Sequence, residues 1–216
     1  MINLGPHIIE SQAQDKLINL LLEKGKQVRI PKFDWSHKLA GKLKEQYTYE
    51  GDLEWFKLLF TIHLEEYINT LPNGKTNHIL ATTMNHTWDL TDLWINYQGP
   101  KEYNPPHNHA GDISFVIYPD IPKEIHDERS KINTEDPFKT NRTPPGNIVF
   151  EYGENIFSNF LSFCNTSYQL SPKTGTIVIF PSWLKHHVYA FESNVERISV
   201  SGNIKLNFEN KERISL

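Results

Sequence analysis

From residue 53 the chain repeats apolar side chains at steps of three and four: Leu53, Phe56, Leu59, Phe60, Leu64, Tyr67, Ile68 and Leu71. That period puts them along one side of an α-helix over 52–71, with Asp52 as its N-cap and Pro72-Asn73-Gly74 as its stop. Each leucine or phenylalanine buried there stabilises by about 1.5–3 kcal/mol, so the helix needs a surface to pack on. A second helix is expected over 12–25, where Leu17, Ile18, Leu20, Leu21 and Leu22 form an apolar side and Gly25 is the stop. Residues 1–10 read as a starting strand or arm. Residues 28–33 read as extended and interrupted by Pro31, and 37–46 as a short amphipathic piece.

After His78 the period changes to two, the signature of strands. Strands are expected over 79–87 and 92–98. In the second, Leu93, Ile95 and Tyr97 oppose Trp94, Asn96 and Gln98. The apolar, β-branched runs 113–118 and 176–180 suit buried strands, the latter closed by Pro181, which cannot donate a ladder bond. Further strands are expected over 146–152 and 160–170. In 197–203, alternation puts Arg197, Ser199 and Ser201 on one face and Ile198, Val200 and Gly202 on the other. The charged, proline-bounded stretch 122–145 reads as a long irregular excursion, and such loops are usually functional or disordered.

The expected fold class is therefore mainly β with N-terminal helices. The 216 residues suit a single domain: a helical N-terminal support region over 1–77 and a β core over 78–216. The net charge of −4, without a basic stripe, argues against duplex nucleic acid as a partner. The single cysteine, Cys164, excludes an intrachain disulfide and fits a reducing compartment. No apolar run approaches the ~20 residues that span a bilayer. A cytoplasmic protein with no membrane partner is the expectation.

The candidate chemistry lies in 104–120, NPPHNHAGDISFVIYPD. Side chains two apart on an extended chain share a face, so His107 and His109 project together, and Pro105 and Pro106 favour the extended backbone. Two imidazoles on one face begin a metal site. About seventy residues on, GTIVIFPSWLKHHV supplies a strand, a tight corner and His186-His187, and Arg197 follows in RISVSGN. Asn96, on the strand before the histidine pair, is an unusual strand residue that can point into a pocket.

With these residues in view, 93–208 resembles the iron(II)- and 2-oxoglutarate-dependent oxygenases with a double-stranded β-helix (jelly-roll) core, above all their prolyl-hydroxylase-like and phage-type members. The resemblance implies an oxidoreductase, a dioxygenase that hydroxylates a peptide side chain or a small metabolite with O2. His107 matches the family's proximal metal histidine, His186 the distal one, and Arg197 the arginine that binds the far carboxylate of 2-oxoglutarate. Tyr118 matches a tyrosine that assists that carboxylate, and Ser199 and Asn96 can help. The family places an aspartate or glutamate two residues after its first histidine, where this chain has His109. Either His109 is the third ligand or Asp112 swings in across the turn. The family also implies that the helices brace the main sheet from behind and that 122–145 forms a substrate lid. Two further readings stay open. A cupin would use the same histidines on a metal without 2-oxoglutarate, and a non-catalytic jelly-roll binding module would use none of them.

Overall fold

The computed structural model of the protein describes residues 5–71, 85–135, 144–152 and 167–209. In chain order the elements are β1 (Ile9–Gln12), α1 (Asp15–Val28), β2 (Glu45–Thr48), α2 (Glu54–Asn69), β3 (Asn85–Gln98), β4 (Asn104–His107), β5 (Ile113–Asp120), α3 (Lys123–Glu135), β6 (Ile148–Glu151), β7 (Ser167–Leu170), β8 (Thr176–Pro181), β9 (Lys185–Val188) and β10 (Arg197–Glu209). The strands form two antiparallel sheets. The larger runs β1-β8-β5-β10-β3-β2 and the smaller β4-β9-β6-β7. This is a jelly roll with α1 and α2 packed on the outer face of the larger sheet.

The two faces of the larger sheet follow the alternation in the sequence. One face carries Leu93, Ile95, Phe115, Ile117, Ile177, Ile179 and Val200, which form a single core with Phe56, Phe60 and Leu64 of α2 and Leu17 and Leu21 of α1. Phe115 stacks on Phe56 at 5.5 Å between ring centres and meets Phe60 in a tilted contact at 4.3 Å. The opposite face carries Val116, Tyr118, Val178 and Phe180 into a second core shared with Ile148, Phe150 and Val188 of the smaller sheet. The polar residues of the same face, Asn96, Arg197 and Ser199, are thereby buried between the sheets.

Several expectations are corrected. Gly25 does not stop α1, which runs on to Val28. A Cβ on Gly25 would stand 2.4 Å from Ile95 Cδ1, so the glycine lets the helix lie close on β3. Residues Pro31–Phe33 form a 3-10 turn rather than an extended segment. The strand expected over 92–98 begins at Asn85, and the register with β10 shifts between Asn203 and Ile204, so the bulge at Thr91 joins two halves of one strand. The short strand β2 lies partly in the piece read as amphipathic. Residues 79–84, 160–166 and Cys164 fall outside the described residues.

The largest correction concerns 122–145. Lys123–Glu135 is an α-helix, not an irregular stretch. Ile125 and Arg129, four apart, are its buried side, and Lys123 pairs with Asp127 on the other. Glu128 anchors it, accepting from the Glu192 and Ser193 amides at 3.0 Å and from Ser193 Oγ at 2.6 Å. Residues 136–143 of the expected lid lie outside the described residues.

Candidate active site

Strands of both sheets deliver the site. β4 and β9 pair so that His107 faces His186 directly. His109 is fixed by its own amide, which donates to Ser182 O at 2.9 Å in the corner before β9. One ligand nitrogen from each of His107, His109 and His186 lies within 4.8 Å of the others. His107 Nδ1 lies 2.7 Å from Pro105 O, and His186 Nδ1 lies 2.9 Å from Leu184 O. A carbonyl only accepts, so each Nδ1 carries the proton and each Nε2 offers a lone pair to the shared space. His109 Nε2 and His186 Nε2 are 3.3 Å apart, within hydrogen-bonding distance of each other.

Burial is the main influence on all three rings. It pushes His186 down to about 3 and His109 to about 4, each helped by the neighbouring His107, and it lowers His107 as well. The imidazoles are therefore neutral at neutral pH, the state that binds a metal. Trp94 packs against His109 at 5.6 Å, and Phe180 against His186 at 4.8 Å, holding the rings in place.

Asp112 does not join the cluster. Its carboxylate accepts from Leu206 N at 2.8 Å and Lys205 Nζ at 3.1 Å, tying the turn to β10. Of the two alternatives left by the sequence, His109 stands with His107 and His186.

A cavity of about 180 Å³ opens beside the histidines, lined among others by Arg197, Tyr118, Ser199 and Asn96. This lies below the range for drug-sized ligands and suits a small dicarboxylate. Arg197 is buried. Its Nη1 donates to Gly146 O at 2.6 Å, its Nε has no partner among the described residues, and its guanidinium carbon lies 5.4 Å from the Tyr118 ring centre. A buried, incompletely bonded guanidinium at the end of a cavity calls for an anion. Neutral imidazoles at one end and that arginine at the other fit a metal chelated by a 2-oxo acid with a distal carboxylate.

The rung Gln46–Asn96–Ser199 crosses β2, β3 and β10 in register. Gln46 Nε2 donates to Asn96 Oδ1 at 2.8 Å, and Asn96 Nδ2 to Ser199 Oγ at 3.2 Å. Ser199 is left free to donate to an anion beside it. Sequence reasoning missed Gln46, because its strand has only four residues and sits among lysines and glutamates. It also missed the cavity-lining residues Trp94 and Asn104. For Trp94 a signal existed, since it shares the alternating face of Asn96.

Fold and site together are those of a jelly roll whose three clustered histidines could hold a metal. Residues 92–203 match the family described as "Putative 2OG-Fe(II) oxygenase". That is more than half of the chain, and the protein belongs to this family, whose cofactors are iron(II) and 2-oxoglutarate. Among solved structures, the chain is similar to a prolyl-4-hydroxylase from Pseudomonas putida (12% identity, TM-score 0.51, 93% of each chain covered). It is also similar to a Trichoplax adhaerens prolyl hydroxylase in complex with a hypoxia inducible factor peptide fragment (10%, TM-score 0.52, 94% of this chain and 83% of that one). A third is HygX from Streptomyces hygroscopicus with nickel and 2-oxoglutarate bound (8%, TM-score 0.51, 93% and 82%). At these identities the likeness is one of fold. No curated protein sequence matches. Among the described residues no helix is long and apolar enough to cross a membrane.

Proposed function

We propose that this oxygenase hydroxylates a peptide side chain or a small metabolite, with iron held by His107, His109 and His186. The observation that carries the reading is the convergence of three imidazole nitrogens on a cavity that ends in the buried Arg197. When bound, iron(II) with 2-oxoglutarate and O2 supplies the oxidising power, and 2-oxoglutarate leaves as succinate and CO2. The protein's part is to bind, orient and keep dry. Arg197 grips the distal carboxylate with a planar, always-charged fork. Tyr118 borders that pocket, and Ser199, held by Asn96, donates to the same ligand. The burial of Trp94 and Phe180 around the histidines excludes water from the metal.

In the cavity lining, Gln46 Oε1 and Asn104 Oδ1 are buried acceptors with no donor among the described residues. A substrate carrying an N–H or O–H would satisfy them, which supports a peptide or a hydroxylated metabolite over a hydrocarbon. The test is turnover on peptide and metabolite panels under isotopic O2, reading succinate and product mass. Hydroxylation predicts a product heavier by one labelled oxygen atom. Succinate formed with a substrate that is desaturated or epimerised instead would replace hydroxylation by that outcome.

A further inference from the structure

α3 carries a second buried arginine to the back of the anion pocket. Arg129 is 7% exposed. Its Nε donates to Pro145 O at 2.7 Å and its Nη1 to Pro172 O at 2.9 Å, with His126 Nδ1 at 3.4 Å from the same Nη1. Its Nη2 is buried with no partner among the described residues. A Cβ placed on Gly146 would stand 3.4 Å from Arg129 Nη2 and 3.5 Å from Arg197 Nη1, so the two guanidiniums flank this one glycine. The Gly146 φ of +64° and the lack of a side chain allow that approach.

Among the described residues no carboxylate pairs with either arginine. The neighbouring Glu128 is turned to Ser193 and the amides of Glu192 and Ser193. Two like charges buried together without a counterion are costly. Burial, and then Arg197, lower Arg129 to about 10, which still leaves it charged at neutral pH. Tyr118 lies in the field of both cations. Carbonyl acceptors alone would be served by any donor. The charge is the feature they leave unexplained.

We infer that Arg129 is a positioning residue for the cosubstrate, a second cation behind Arg197 that favours 2-oxo acids with a distal carboxylate. This rests on reading Arg197 as the partner of that carboxylate. Arg129 does not line the cavity and acts through Arg197 and the local potential. A purely structural Arg129 would tie α3 to residues 145 and 172, and its loss would weaken every 2-oxo acid alike.

The experiment is anaerobic titration of the Fe(II)-loaded protein with 2-oxoglutarate and with 2-oxovalerate, which has the same 2-oxo acid head and no distal carboxylate. Affinity is read from the metal-to-ligand absorption. Arg129→Gln should weaken 2-oxoglutarate by about tenfold, the scale of one partly screened charge, and leave 2-oxovalerate unchanged. Arg129→Lys should restore most of the preference. Arg129→Met, apolar and of similar length, repeats the test if the glutamine variant does not fold. Equal weakening of both acids, or of neither, overturns the inference. If Arg197→Ala also binds 2-oxoglutarate like wild type, the reading of Arg197 falls and takes the inference with it.

Discussion

At the scale of single residues, the departure from a carboxylate ligand is the feature with most consequence. If His107, His109 and His186 hold the iron as proposed, three neutral imidazoles leave its charge uncompensated by the protein, and the bound 2-oxo acid must supply the negative charge. His109→Ala should lose iron at concentrations where wild type is saturated, measured by equilibrium dialysis. Asp112→Asn should hold iron as wild type does, because its carboxylate serves Lys205 and the Leu206 amide. An Asp112 variant that loses iron while His109→Ala keeps it would reverse that assignment. His109→Asp should retain iron, since it restores two histidines and one carboxylate. Arg197→Lys keeps a charge but not the fork, and should raise the KM for 2-oxoglutarate with a smaller change in kcat.

At the scale of elements, the larger sheet depends on close approach between β10, β5 and β3. A Cβ on Gly202 would meet Phe115 Cζ at 2.4 Å and the Asp92 carbonyl at 2.6 Å. Gly202→Ala should therefore cost about 1–3 kcal/mol in chemical denaturation, as overpacking does. α2 contributes a pH dependence through His63, which is 6% exposed, with Nδ1 2.8 Å from Ser11 Oγ and Nε2 without a partner among the described residues. Burial lowers its pKa. Below the ordinary histidine value, near 6.5, the unfolded chain takes up a proton that the native state refuses, so stability falls as pH falls. His63→Leu should flatten that part of the unfolding curve between pH 7 and 5; an unchanged slope would show that His63 protonates in place.

These elements also show what the sequence could and could not reveal. Periods of three to four and of two located α2, the two faces of β3 and β10, and the apolar runs of β5 and β8, because burial on one face writes itself into spacing. The histidine pair was legible because strand geometry fixes which side chains share a face, whereas Arg197, eleven residues past His186, stood out only through the resemblance to the oxygenase family. What stayed hidden depends on tertiary contact. The helix at Lys123–Glu135 has only Ile125 and Arg129 among its described residues as a buried side, too sparse a stripe to stand out from a charged loop. Gly25 reads as a stop until β3 is seen to lie against it. That the turn aims the Asp112 carboxylate at β10 and leaves His109 beside His107 and His186 is not legible in the sequence, because it depends on how the turn packs.

At the scale of the whole molecule, helices, sheets and site form one mechanical chain. β1 and β2, from the N-terminal part, lie at the two edges of the larger sheet, and α1 and α2 cover its outer face. The inner face is then free to carry Arg197, Ser199 and Asn96, and the smaller sheet brings His107 and His186 against it. Because the metal site joins residues from separate strands, iron should raise the melting temperature, with a stabilisation of about 2.7 kcal/mol at a hundredfold excess over its Kd. The central claim is that three histidines and Arg197 hold iron and 2-oxoglutarate in one cavity. Its most direct test is anaerobic Fe(II) titration with and without 2-oxoglutarate, on wild type and Arg197→Ala, followed by the absorption of the chelated 2-oxo acid. The account predicts a band that needs both components and weakens in the variant. Iron binding with no band at saturating 2-oxoglutarate, or an equal band in both proteins, would contradict it.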